Sequence, residues 1–257
     1  MPSMKMLIAS HKAAEMPNDG FYLPVHVGHA LNPKDLGFQP DDEGDNISNM
    51  NPSYCELTAQ YWAWKNLDAE VIGLSHYRRY FTGSQLGPNG KGILSSVESE
   101  QLLERYDIVL SRPRNYMVET IDSHYRNGHY GSDLDVLRSE ITTNYPDFLP
   151  AYDRVFSGRK LSLYNMFLMR RDEFDAYCTW LFAILKNVEQ QIDNDSRTQY
   201  QQRTFGYLGE RLLNVWAVQR SAQQRVGHRA VVNTDGEPKV KKAIGMVKRK
   251  LSGRVVE

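Results

Sequence analysis

Residues 71–75, VIGLS, make an apolar run that is too short for a helix. Its β-branched character fits a strand buried on both faces. Such a strand needs neighbours on each side and layers above and below it. Five residues of a different kind follow at once: His76, Tyr77, Arg78, Arg79 and Tyr80. Two further runs repeat the arrangement. KMLIAS (5–10) leads to His11 and Lys12, and DIVLSRP (107–113) leads to Arg112 and Arg114. Helical patterns separate the runs. SYCELTAQYWAWKNL (53–67) follows Pro52 and has Glu56 three residues after Ser53, as in a capping box. SVESEQLLERY (96–106) is a second, shorter helix. This alternation predicts an α/β fold, a Rossmann-type and mostly parallel sheet flanked by helices.

Further along, SDLDVLRSEITTNYP (132–146) reads as a helix that Pro146 ends. LSLYNMFLMRR begins a strand near 161, and a helix runs from about Asp172. A last helix runs from Phe205 or Tyr207 to 220. Residues 13–53 read as a long loop, 83–92 as a turn-rich surface segment, and 116–131 as irregular.

Totals narrow the function. The chain has 257 residues, with 31 Lys+Arg against 31 Asp+Glu. No global field draws it to nucleic acid, so any electrostatic function is local. The two cysteines, Cys55 and Cys178, sit among aromatic and apolar residues and read as reduced core thiols. The opening MPSMKMLIASHK does not read as a signal peptide, and no run approaches the length of a membrane span.

In open α/β sheets, ligands bind beyond the carboxyl ends of the strands. Three strand ends here deliver His11, Lys12, His76, Arg78, Arg79, Arg112 and Arg114. Guanidinium forks match phosphate oxygens two at a time, so the pattern suits a diphosphate. The competing reading is surface charge trailing off strands. If strand alternation continues through 76–81, His76 and Arg78 face the site and Arg79 faces away. The loop at 41–58 supplies Asp45, Asn46, Ser48 and Asn51, which suit either ligand hydroxyls or local turns and caps. Asp133 and Asp135 form an Asp-x-Asp at a helix start, where acids favour the dipole and where a metal is the weaker reading.

GDNISNMN, YCELTAQYWAWKN, VIGLSHYRRYF, YNMFLMRRDEFDAYCTWLF and GYLGERLLNVW together resemble a bacterial family of capsular and exopolysaccharide glycosyltransferases. The resemblance runs in order from about residue 5 to 220. It implies a GT-A-like transferase over 1–225 that moves a hexopyranose or a galactofuranose. The donor is a nucleotide-diphosphate sugar, a UDP-sugar in the first instance. The acceptor is a growing surface polysaccharide or a lipid-linked oligosaccharide. Where many such folds carry an acidic metal pair, this chain has HYRR, so His76, Arg78 and Arg79 are expected to neutralise the diphosphate with no cofactor. A divalent metal, manganese or magnesium, is disfavoured. The resemblance also implies that Asn165 and Met166 face the sugar and that Glu210 is the general base, with His124 and Asp122 as second choices. The reading from another class is a non-catalytic nucleotide- or carbohydrate-binding relative of the same fold.

Residues 226–257 read as a basic tail. From Lys239 to Arg254 there are seven Lys or Arg and no acid, with apolar residues at helical spacing. A basic amphipathic helix suits an anionic membrane surface. The expected location is therefore cytoplasmic, peripheral on the inner face of the plasma membrane.

Overall fold

The computed structural model describes residues 3–235. The stretch Lys239–Arg254, and with it the expected amphipathic helix, lies outside the described residues.

The central strands are β1 (Met4–Ser10), β2 (Tyr22–His26), β3 (Gln39–Pro40) and β4 (Val71–His76). A hairpin then gives β5 (Arg79–Leu86) and β6 (Gly92–Ile93). After these come β7 (Ile108–Ser111), the short pair β8 (Arg114–Asn115) and β9 (Lys160–Leu161), β10 (Phe167–Arg170), β11 (Val226–Arg229) and β12 (Val231–Asn233). The main sheet has the order β11-β7-β10-β4-β1-β2-β3. Neighbours are parallel except β10, which runs antiparallel to both β4 and β7. The carboxyl ends of β1, β4 and β7 therefore lie at one edge, and the chain enters β10 at that same edge.

The helices are α1 (Asn51–Tyr54), α2 (Leu57–Asn66), α3 (Ser96–Arg105), α4 (Ile121–Gly128), α5 (Ser132–Asn144), α6 (Leu149–Ser157), α7 (Arg171–Glu189) and α8 (Thr204–Arg220). Alternate residues of each strand feed two cores, as the period of 2 requires. Leu7, Ile72, Leu74, Leu110 and Phe167 pack with α2, α7 and α8. Met6, Ile8, Val71, Val109 and Leu168 pack with Tyr80 and Phe81 of β5 and Leu103 of α3. The expected mixed α/β class, a mostly parallel sheet flanked by helices, is what the chain adopts.

The differences have local causes. The helix expected over 53–67 is broken at Cys55, which takes φ 53 and ψ −130 and separates α1 from α2. The loop expected over 13–53 contains β2. Pro24 is tolerated there because its missing N–H faces the side where β3 has not yet begun to pair; that pairing starts at Val25. The irregular stretch at 116–131 contains α4, capped by the Thr120 side chain, which accepts from the Ser123 amide. Part of the surface segment at 83–92 is β5 and β6. The sheet also continues past residue 225, where the tail was expected to begin. β11 pairs with β7, and β12 pairs with β5.

Candidate active site

The site is built around the turn that leads into β10. Tyr164 and Asn165 both have positive φ, 75 and 53. Non-glycine residues adopt this conformation only when their surroundings over-determine it. Here they do. The Tyr164 carbonyl oxygen lies 2.6 Å from His76 Nε2, at the end of β4. A carbonyl can only accept, so Nε2 carries the proton and donates. The Tyr164 amide donates to Glu210 Oε1 on α8. Asn165 Nδ2 donates to Glu56 Oε1 at 2.7 Å and to the Gly206 carbonyl at 3.1 Å. Upstream, Ser162 is clamped by Asn214 of α8 and by the Ser111 carbonyl of β7. Three elements thus fix one turn.

Cations surround it. β4 and β5 form a tight hairpin in which His76 pairs with Arg79. The strand alternation expected through 76–81 therefore does not hold. Arg79 joins His76 at the turn, and its guanidinium lies 4.4 Å from the Tyr164 ring centroid. Its buried Nε has no hydrogen-bond partner among the described residues. Arg78 points elsewhere, 5.4 Å from the Tyr77 ring and 4.0 Å from Asp235, with 41% of its side chain exposed. His11 and Lys12, beyond β1, are exposed and pack on the same Tyr77 ring. Arg203, before α8, donates from Nε to Cys55 Sγ at 3.2 Å. Its charge, with those of Lys12 and Arg78, helps lower the pKa of His11, although partial desolvation of the imidazole is the larger cause.

Two carboxylates face the turn. Burial pushes Glu210 above its ordinary pKa; Arg211 and the Tyr164 amide act in the opposite direction, and the charge of Glu56 adds to the rise. Burial also lowers the pKa of His76, while the charge of Glu56 and the hydrogen bond to the Tyr164 carbonyl act in the opposite direction. Nε2 of His76, expected to meet a diphosphate, is instead turned to the Tyr164 carbonyl.

The remaining expected site residues divide. Asn165 is buried and holds Glu56 rather than presenting its amide outward. Met166 is fully buried in the core with Ile8 and Val109, so it packs and does not face a sugar. Asp45 accepts from Tyr61 Oη and is bonded to Asn66, at the far end of α2 from the turn. Asn46 makes local bonds to the Asp42 and Gly44 carbonyls, and buried Ser48 donates to Asp41. Asn51 ties the Cys55 carbonyl to Thr58. These four hold the loop together, the structural role such residues often have.

His124 lies on α4 with its ring 4.2 Å from that of Tyr116. Burial, then the charge of Arg211, lowers its pKa to about 4. It flanks the site as a neutral ring. Asp122 turns away to Arg126 and lines a separate cavity of about 500 Å³. Asp133 is bound by Arg197 and Asp135 by Arg126. Among the described residues no group of three or more His, Cys, Asp or Glu side chains is arranged to hold a metal.

Glu56, Tyr164 and Arg203 were not expected in a site. Glu56 matched a capping pattern, but in the structure it caps nothing and reaches Asn165 instead. Arg203 belongs to no motif. Glu210 was expected at a helix start and lies in the second turn of α8.

No curated protein matches the chain. Among solved structures, the ligand-free form of WbbM, a bifunctional glycosyltransferase, superposes with a TM-score of 0.81 at 28% sequence identity. The match covers 91% of this chain and 46% of that one, so the protein spans about half the length of its structural relative. A family profile, DUF4422, a domain of unknown function, matches residues 5–221. That match takes in every strand from β1 to β10 and both carboxylates at the turn, and the chain belongs to the DUF4422 family.

Proposed function

We propose that the protein is a glycosyltransferase. It moves a sugar, a hexopyranose or a galactofuranose, from a UDP-sugar to a hydroxyl of a growing surface polysaccharide or lipid-linked oligosaccharide. The observation that carries this reading is the composition of the turn at Tyr164. A diphosphate needs fixed positive charge around it and an acceptor hydroxyl needs a base, and at this edge Arg79 and Arg203 stand about Glu56 and Glu210. The likeness to a glycosyltransferase over nearly the whole chain supports it.

In this reading the arginines stabilise the leaving UDP as charge develops on it, the task a divalent ion performs elsewhere. Incubation with UDP-galactose, UDP-glucose and UDP-galactofuranose tests it. One donor is expected to raise the melting temperature and to release UDP, with the rate unchanged by EDTA. A native-state ligand stabilises by mass action, so the melt reports binding independently of turnover. Loss of turnover with EDTA would end the metal-free part. Binding without turnover would favour the non-catalytic reading, and no binding would end both.

A lipid-linked acceptor would meet this site at the inner face of the plasma membrane. The basic stretch Lys239–Arg254 supports that location, with each cation worth about 1 kcal/mol near an anionic surface. No helix among the described residues is long and apolar enough to cross a membrane. Sedimentation with phosphatidylserine vesicles is expected to carry the protein down and neutral vesicles to leave it in solution. Equal partition would exclude the electrostatic anchor.

A further inference from the structure

We infer that Glu56, and not Glu210, takes the proton from the attacking hydroxyl, and that Glu210 is a positioning residue for the turn. The inference rests on the transferase reading above. It begins at Cys55, whose φ 53 and ψ −130 interrupt what would otherwise be one helix. Glycine is the residue that enters this conformation without strain. The break takes the Glu56 carboxylate off its own helix end, where it forms no cap, and sends it to Asn165.

Strain is concentrated here. Five non-glycine residues have positive φ among the described residues, and three of them, Cys55, Tyr164 and Asn165, meet at this point. Backbone strain gathers where a site needs side chains held in one arrangement. What this strain accomplishes is the placing of Glu56.

The two carboxylates differ in what remains to them. Glu210 receives the Tyr164 amide on one oxygen and has Arg211 3.6 Å from the other, with 18% of its side chain exposed. Both oxygens are engaged on the protein side. Glu56 accepts on Oε1 only, and among the described residues Oε2 has no hydrogen bond. The residue is half-buried, so that oxygen has a route to solvent. Arg203 stands next to it across Cys55 and provides a cation beside the carboxylate.

The step balances as a single displacement. The acceptor oxygen forms a bond to the anomeric carbon. The bond from that carbon to the diphosphate oxygen breaks, and its electron pair leaves with UDP. The hydroxyl proton passes to the free oxygen of Glu56. Configuration at the anomeric carbon inverts.

Hydrolysis of the UDP-sugar that the donor screen identifies, with water in the acceptor's place, tests the assignment in the full-length chain. Glu56→Gln is expected to lower kcat about 10²–10⁴-fold, the range of general-base catalysis, and to leave UDP binding by calorimetry unchanged. The acidic limb of the pH–rate profile is expected to vanish with it. Glu210→Gln is expected to lower the melting temperature and to keep that limb. Glu56→Gln activity within about tenfold of wild type, below the range expected of a general base, overturns the inference. Loss of the acidic limb in Glu210→Gln, or a product of retained configuration by NMR, does so too. A wild type that turns over no UDP-sugar ends the transferase reading itself, and is thereby told apart from a failure of Glu56.

Discussion

Arg79→Ala is expected to lower kcat/KM for the sugar donor about 10²–10³-fold, the loss seen when one preorganised stabiliser of developing charge is removed. The reason is what the guanidinium does not do in the structure. Arg78, its neighbour, has Asp235 nearby and is substantially exposed, so part of its charge is answered and solvent screens the rest. Arg79 lies over the Tyr164 ring, and its Nε finds no acceptor among the described residues. Buried polar groups are nearly always satisfied, and one left open at a strand end suits an incoming anion. Arg78→Ala is the internal control, with a loss of no more than about tenfold because an exposed charge is worth little. Arg79→Lys keeps the charge and loses the fork, so it recovers only part of the rate. Steady-state kinetics on the three variants, with melts to confirm folding, decide the matter. If Arg78→Ala is the worse variant, the strand-alternation picture is right and the hairpin assignment of Arg79 is wrong.

That contrast shows how far the sequence is legible. Buried strands announce themselves: KMLIAS, VIGLS and DIVLS are apolar on both faces, and β1, β4 and β7 lie within a residue or two of where the runs place them. Knowing where strands end gave the cationic edge. The sense of each side chain at that edge did not follow, because a hairpin at Tyr77-Arg78 carries no Gly or Asn to mark it. Glu56 was hidden for a related reason. Ser53 and Glu56 fit a capping box, and only the unusual backbone of Cys55, fixed by long-range contacts with Arg203 and α8, takes the carboxylate elsewhere. Asn165 had a faint signal, since Asn enters the left-handed region more readily than most residues. Tyr164 had none. In the 41–58 loop the opposite happened: Asn46, Ser48 and Asn51 look like ligands and serve as local ties.

Asp133→Ala is expected to cost about 3–5 kcal/mol of stability, or about 6–20 °C in melting temperature for a chain of this size. Asp133 is 1% exposed and Arg197 7%, and the pair is bidentate, with contacts of 2.6 and 3.0 Å. Tyr125 Oη donates to the same carboxylate at 2.7 Å. Removing the acid leaves a buried guanidinium with no counter-charge, which is where the cost of breaking an interior ion pair lies. The aspartate two residues on is a different case. Asp135 is 66% exposed and pairs with Arg126 in solvent, so Asp135→Ala is expected to change stability by less than about 1 kcal/mol. The double variant Asp133→Leu/Arg197→Met removes both charges together and is expected to recover most of the loss, since an apolar pair of similar volume often replaces a buried ion pair at little cost. The effect should reach the site as well. Arg197 also donates to Thr204 Oγ1 at 2.8 Å, at the first residue of α8, so this ion pair sets the start of the helix that carries Glu210. Asp133→Ala should therefore lose UDP release along with stability, and the double variant should recover stability before rate. Were Asp133 and Asp135 a metal pair, both single variants would lose rate alike and excess manganese would restore some of it; thermal melts and a manganese titration separate the two cases.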